Sequence, residues 1–153
     1  MRSHPRRAPP LSLAAVAIAT LLSGAAPPNR YSYLNGQTIT VDNVTGLKWQ
    51  RAHGGYGNYT EASGACANLN LGGEYASGWR VPRVKELATL VDVRTTSGPW
   101  IDTTAFTGTI SSNYWTSTPA VGQSNYAWTV SFSDGTIGTT AYSTGTYYRC
   151  VHD

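Results

Sequence analysis

Cys66 and Cys150 are the only cysteines of this 153-residue chain, and it has three histidines, His4, His53 and His152. A thiol nucleophile needs a neighbouring base to make its thiolate, so Cys66 with a histidine is the catalytic pair to look for. Neither His53, in "RAHGGYGNY", nor His152, beside the last residue, stands in a recognisable catalytic motif. His53 reads as a solvated loop residue. The chain shows no phosphate loop, no zinc-type Cys/His cluster, no EF-hand and no paired-carboxylate motif. The expectation is a non-enzymatic protein with no cofactor and no bound metal.

The remaining chemistry is recognition. Beyond Arg94 the only basic residue is Arg149, and Tyr, Ser, Thr, Gly and Asn dominate. Tyrosine beside serine, glycine and asparagine gives large, stiff contact area together with adaptable hydrogen bonding, the mixture that antibody loops use. Aromatic rings also stack on the apolar faces of sugars. The loops of residues 95–127 and 138–147 are expected to build the ligand surface. Asn113, Tyr114, Gln123, Asn125, Tyr126, Tyr142 and Tyr147 are its candidate contacts. The competing reading is that several of these only pack the loops.

One basic stretch argues for a different partner. "GWRVPRVKELATLVD" (78–92) carries Arg80, Arg83 and Lys85 where a helix begins. Pro82 suits a first helical turn. Val84, Leu87, Ala88 and Val91 fall at the spacing of one buried stripe, which leaves Arg83, Lys85 and Glu86 solvated. Charge decides against nucleic acid. Arg2, Arg6 and Arg7 belong to an N-terminal segment that reads as a secretory signal (1–25), with the apolar run "LSLAAVAIATLL" and small residues up to Ala25. Of 11 basic residues those three leave with the signal, so the mature chain carries 8 basic against 8 acidic. It has no surplus with which to displace counterions. The expected location is secreted, extracellular or cell-surface, with the periplasm as a further possibility, and no membrane insertion follows cleavage. An uncleaved anchor is the alternative.

The elements that position these residues are an α+β set. Residues 26–37 read as a flexible lead-in, and 38–153 as one domain. "TITVDNVTGLKWQ" reads as a hairpin with one apolar face, Ile39 and Val41 alternating with polar residues before Leu47 and Trp49. Thr60 is placed to cap a helix from Glu61, in which Ala62, Ala65, Cys66 and Leu69 form an inward stripe, and Gly72-Gly73 ends it. Trp100, Ile101 and Phe106 read as anchors of a long connection. "YWTST", "YAWTVSF" and "TYYRCV" then read as strands. Trp128, Val130 and Phe132 would form one buried face, and "SDGT" a type I′ hairpin turn. In an exported chain the two cysteines most economically pair. That disulfide closes a loop of roughly 85 residues, for which chain entropy predicts about 4–5 kcal/mol at most.

"TVDNVTGLKWQ", "GWRVPRVKELATLVD", "IDTTAF", "YWTSTP", "YAWTVSFSDG" and "YRCV" occur in an order that resembles the C-terminal domain of bacterial collagen-like adhesins, the Lcl-type C-terminal domain. The resemblance covers about residues 38–152. It implies a C-type-lectin-like fold related to that of formylglycine-generating enzymes, with two helices flanking a small, twisted, mostly antiparallel sheet and a long loop region. It also implies a disulfide from the first helix to the last strand, the places of Cys66 and Cys150. Adhesins of the family bind sulfated polysaccharides and form trimers. This chain has no Gly-X-Y stalk and none of the triplets of calcium-dependent lectins; "SSNYW" places Asn113 and Trp115 without an adjacent carboxylate.

The function expected is an extracellular binding or adhesion module for a glycan or protein ligand, with homo-oligomer formation as a possible further property. The alternatives are a structural subunit of an extracellular assembly or appendage, and the variable protein of a diversity-generating retroelement.

Overall fold

The computed structural model describes residues 29–153. The expected signal sequence and residues 26–28 lie outside the described residues. Among the described residues nine strands form two sheets. The first has the order β1-β2-β3-β9, from β1 (Tyr31–Leu34), β2 (Ile39–Asp42), β3 (Lys48–Gln50) and β9 (Val151–His152), and is antiparallel throughout. The second comprises β4 (Gly55–Gly57), β5 (Asn113–Pro119), β6 (Tyr126–Ser131), β7 (Ile137–Ala141) and β8 (Thr146–Tyr148) in the order β4-β8-β5-β6-β7. Its one parallel pairing is Tyr114 with Tyr147, between β5 and β8. With helices α1 (Tyr59–Ala67) and α2 (Val84–Ala88) the architecture is α+β, as expected, but with two sheets where one was expected.

Part of the expected lead-in is structural. Tyr31–Leu34 pairs along the whole of β2, and Tyr31 packs edge-on to Phe106 at 5.1 Å. Polar composition disguised an edge strand.

The inner strands of both sheets are buried on both sides, because two hydrophobic clusters share them, while the outer strands β1 and β7 are largely exposed. One cluster gathers Trp49, Leu87, Leu90, Phe106, Tyr114 and Phe132; the other gathers Ile39, Cys66, Trp79, Trp115, Ala127 and Cys150. Successive strand residues point to opposite faces, so Tyr114 and Trp115 enter different clusters, as do Cys150 and Val151. This corrects the expectation of single apolar faces. In the hairpin, Ile39 lies opposite Gln50 and Thr40 opposite Trp49, which puts Ile39 and Trp49 on opposite faces. In β6, Ala127, Thr129 and Ser131 are as buried as Val130, and Trp128 is only half-buried. The buried hydroxyls are bonded: Thr40 donates to the Ala105 carbonyl at 2.6 Å and Thr116 to that of Trp128 at 2.7 Å. A bonded threonine can be buried where an unpaired one would be costly.

Local details also differ from expectation. Asn58, not Thr60, caps α1: its side chain accepts the Glu61 N–H at 3.0 Å, and the Glu61 carboxylate accepts the Asn58 N–H at 2.8 Å. Ala62 and Cys66 are buried while Ala65 is exposed, and the helix ends at Ala67, with Asn68 as its C-cap, before the glycine pair. The stripe of the second helix reaches only from Val84 to Ala88 as helix. The β6–β7 connection is a four-residue loop between Ser131 and Thr136, with a left-handed Gly135 (φ +74°), rather than a type I′ turn. The glycine-rich "HGGYG" contains strand β4, and a Cβ on Gly54 would sit 2.4 Å from the Tyr148 ring.

Cys66 and Cys150 are bonded, with Cα atoms 5.4 Å apart and both side chains buried. The bond ties α1 to the residue preceding β9. Beside it, Arg80 and Val151 exchange two backbone hydrogen bonds of 2.9 Å.

Candidate functional site

Of the basic residues of 78–92, Arg80 serves the scaffold, while the side chains of Arg83 and Lys85 are exposed as expected. The Arg80 guanidinium grips Glu86 (2.8 and 2.9 Å) and the C-terminal Asp153 (2.6 Å). Glu86 is therefore not the solvated residue expected; it also accepts the Arg83 N–H at 2.7 Å. Burial pushes the Glu86 carboxyl up, but the bonds from Arg80 and Arg83 outweigh it and hold it below the usual range. The hydrogen bond from Arg80 likewise holds Asp153 low.

Arg149 is fully buried. It donates from Nη1 to the carbonyls of Gln50 (2.6 Å) and Arg51 and from Nη2 to Thr109 Oγ1 (2.7 Å), and its guanidinium lies 5.1 Å from the Phe106 ring centre. Burial lowers its pKa to about 10, which leaves it a cation at neutral pH. It laces the last strands to the segment 101–109. That segment supplies Ile101, Ala105 and Phe106 to the core, so this part of the expected ligand loops packs the interior.

The disulfide leaves neither sulfur available as a nucleophile. His53 is half-buried, edge-on to Tyr147 at 5.9 Å, rather than solvated. Among the described residues no group of three or more His, Cys, Asp or Glu is placed to hold a metal ion, and no helix is long and apolar enough to cross a membrane.

The seven candidate contacts divide three ways. Tyr114 is fully buried, stacked on Tyr147 at 5.7 Å, with its hydroxyl accepting the Ile110 N–H at 2.9 Å. It is a core residue, which corrects its assignment to the ligand surface. Asn113 and Tyr147 sit at the start of β5, where Thr146 donates to the Asn113 carbonyl at 2.6 Å. Tyr147 is half-buried beneath Tyr56, which is 66% exposed, the rings meeting edge-on at 5.2 Å.

The other four, Gln123, Asn125, Tyr126 and Tyr142, line one open cleft of about 340 Å³ at the far end of β5. The seven residues of β5 separate the two groups by about 20 Å. Pro119, Ala120 and Gly122 complete one rim, and Ser124, missed from sequence, lies between the two amides.

Two consecutive turns shape this cleft. Gln123 N–H donates to the Ala120 carbonyl at 3.1 Å, with Gly122 at φ +79°; Tyr126 N–H donates to the Gln123 carbonyl at 3.3 Å, with Asn125 at φ +63°. Each thus has a left-handed residue in third place, the position where type II turns favour glycine or asparagine. Ala120 N–H to the Tyr126 carbonyl (2.9 Å) closes the loop. Tyr142 N–H to the Asn125 carbonyl (2.7 Å) fixes the far wall.

Tyr142 is held from behind. Its ring stacks on Tyr59 of α1 at 4.4 Å, its carbonyl accepts the Tyr59 N–H at 3.0 Å, and both rings pack against the disulfide-bearing cluster. By contrast the side chains of Gln123, Ser124 and Asn125 make no hydrogen bond to the described residues, and neither do the hydroxyls of Tyr126 and Tyr142. No lining residue is charged. A fixed frame here presents unengaged amides, hydroxyls and aromatic rings.

No curated protein matches the chain. Residues 38–152, which include every strand from β2 to β9, both helices and the cleft, match the model of the Lcl C-terminal domain, and the chain belongs to that family.

Proposed function

We propose that this protein is an extracellular, non-enzymatic binding module whose ligand seat is the cleft of residues 119–126 and Tyr142. Membership of the Lcl C-terminal domain family and the Cys66–Cys150 disulfide fit an extracellular, adhesin-like module. The lectin-like fold implied by the resemblance belongs to the same reading. The observation that carries it is the convergence of unbonded polar side chains and two tyrosine rings on one rigidly backed cleft. Convergent polar groups in a concave site are the usual mark of a ligand pocket.

The test is a mixed array of glycans and extracellular proteins, probed with the secreted protein and with a Gln123→Ala/Asn125→Gly variant. Specific signals should fall at least tenfold in the variant. Chelating calcium should leave them unchanged, because no carboxylate lines the cleft. Signals that survive the double substitution would move the ligand seat elsewhere.

A second reading, a structural subunit of an extracellular assembly, is favoured by β7. This outermost strand ("IGTTA") carries no charge, proline or bulge, the usual guards of an open edge, so a second copy could pair with it. Light scattering that showed a monomer at high concentration would remove this reading.

A further inference from the structure

The geometry points to the class of ligand: an uncharged pyranose, one or two rings of a neutral glycan. This rests on the cleft being the ligand seat. Charge narrows the choice first. The cleft offers no cationic side chain to a sulfate, phosphate or carboxylate, and no carboxylate to an ammonium group or a bridging metal.

Backbone bonding narrows it further. An extended peptide gains much of its affinity by pairing with free main-chain groups. Here the N–H groups of Ala120, Gln123, Tyr126 and Tyr142 are already bonded within the two turns and the far wall, and those left over, on Gly122, Ser124 and Asn125, lie in turns rather than along an extended edge. With no strand-like row of free groups for a peptide to pair with, recognition falls chiefly to side chains.

Those side chains are two carboxamides, a serine hydroxyl and two phenols. Each carboxamide offers two N–H donors and a carbonyl acceptor, and each hydroxyl can do both. Vicinal sugar hydroxyls present that same mixed pattern. The tyrosine rings supply flat apolar surface for the C–H face of a sugar ring. Tyr142 suits this role because Tyr59 covers one of its faces and the start of α1 fixes its backbone, which leaves its other face or rim for the cleft. The volume of about 340 Å³ is at the low end of the range of about 300–1,000 Å³ typical of small-ligand sites, so it admits one or two rings and not a long chain segment.

Isothermal titration of the secreted protein tests this with methyl α-mannoside, lactose, cellobiose and chitobiose as uncharged probes and heparin as the sulfated comparator. At least one uncharged probe should bind, with less than a twofold change in Kd between low and high salt. Asn125→Gly keeps the left-handed backbone and removes only the amide, so it should weaken that binding about tenfold without lowering Tm; Ser124→Ala should weaken it less. Binding of heparin alone, with a steep salt dependence, would overturn the neutral-sugar assignment. If the variants then lost heparin, the cleft would stand as the seat. No binding of any uncharged probe would overturn the assignment as well. A probe whose affinity both variants leave unchanged would contradict the cleft itself.

Discussion

The chain end around residues 148–153 and the loop of 119–126 are both short and polar-rich, yet they use their polar groups in opposite ways. At the chain end, Arg149 is laced to two carbonyls and a threonine, Cys150 is covalently tied to α1, Val151 pairs with Arg80, and Asp153 is gripped by the Arg80 guanidinium. In the loop, only the backbone is bonded; the side chains of Gln123, Ser124 and Asn125 have no partner among the described residues. The difference separates frame from site. Groups engaged with the protein hold the fold, and groups left over on a bonded backbone are the ones the proposed function assigns to a ligand.

Substitutions should reproduce that contrast. The largest effect belongs to the frame. Replacing Cys66 and Cys150 together by Ala frees a loop of 84-residue separation and should cost up to about 4–5 kcal/mol, a drop in Tm of up to roughly 15 °C under non-reducing conditions. Arg149→Met should come next, at about 2 kcal/mol or more in denaturant unfolding, because it strands the carbonyls of Gln50 and Arg51 in a buried place.

Acid should loosen the Arg80 network more gently. The Glu86 and Asp153 carboxyls have folded pKa values below their ordinary 4.5 and 3.8. Their contribution is fully present above those values and is lost as pH falls below about 5 and through the lowered ones. Arg80→Gln should flatten the Tm–pH profile across that window. Smallest of all, Gln123→Ala and Asn125→Gly should leave stability within about 0.5 kcal/mol, since they remove groups that hold nothing. Equal destabilisation by loop and chain-end variants would erase the comparison.

Much of the frame was legible in the sequence, and the reasons differ by residue. Cys66 could be placed inward because Ala62 and Leu69 share its helical face, and it is buried in the structure. The second buried face of β2, β5 and β6 was not legible, because Thr40, Thr116 and Thr129 read as a polar, solvated side while their hydroxyls are bonded indoors. Arg149 was equally opaque: no carboxylate partner marks it, and carbonyls do the work.

For the candidate site, residue chemistry identified Gln123, Asn125, Tyr126 and Tyr142 but could not tell Tyr126 from Tyr114. Both are strand tyrosines beside polar residues. Only the presence of a core on each face of β5 assigns Tyr114 to the interior. Tyr59, which backs Tyr142, carried no signal beyond its place at the start of a helix.

Amide hydrogen exchange on the native secreted protein, alone and with the tightest-binding probe, tests the central contrast most directly. The amides of Gln50, Arg80 and Val151 should exchange only with global unfolding, and the probe should slow exchange chiefly between Ala120 and Tyr126 and at Tyr142. Protection that appeared instead around Asn113, Tyr56 and Tyr147, or chain-end amides that exchanged as fast as the loop, would contradict the division of this molecule into a locked frame and an open seat.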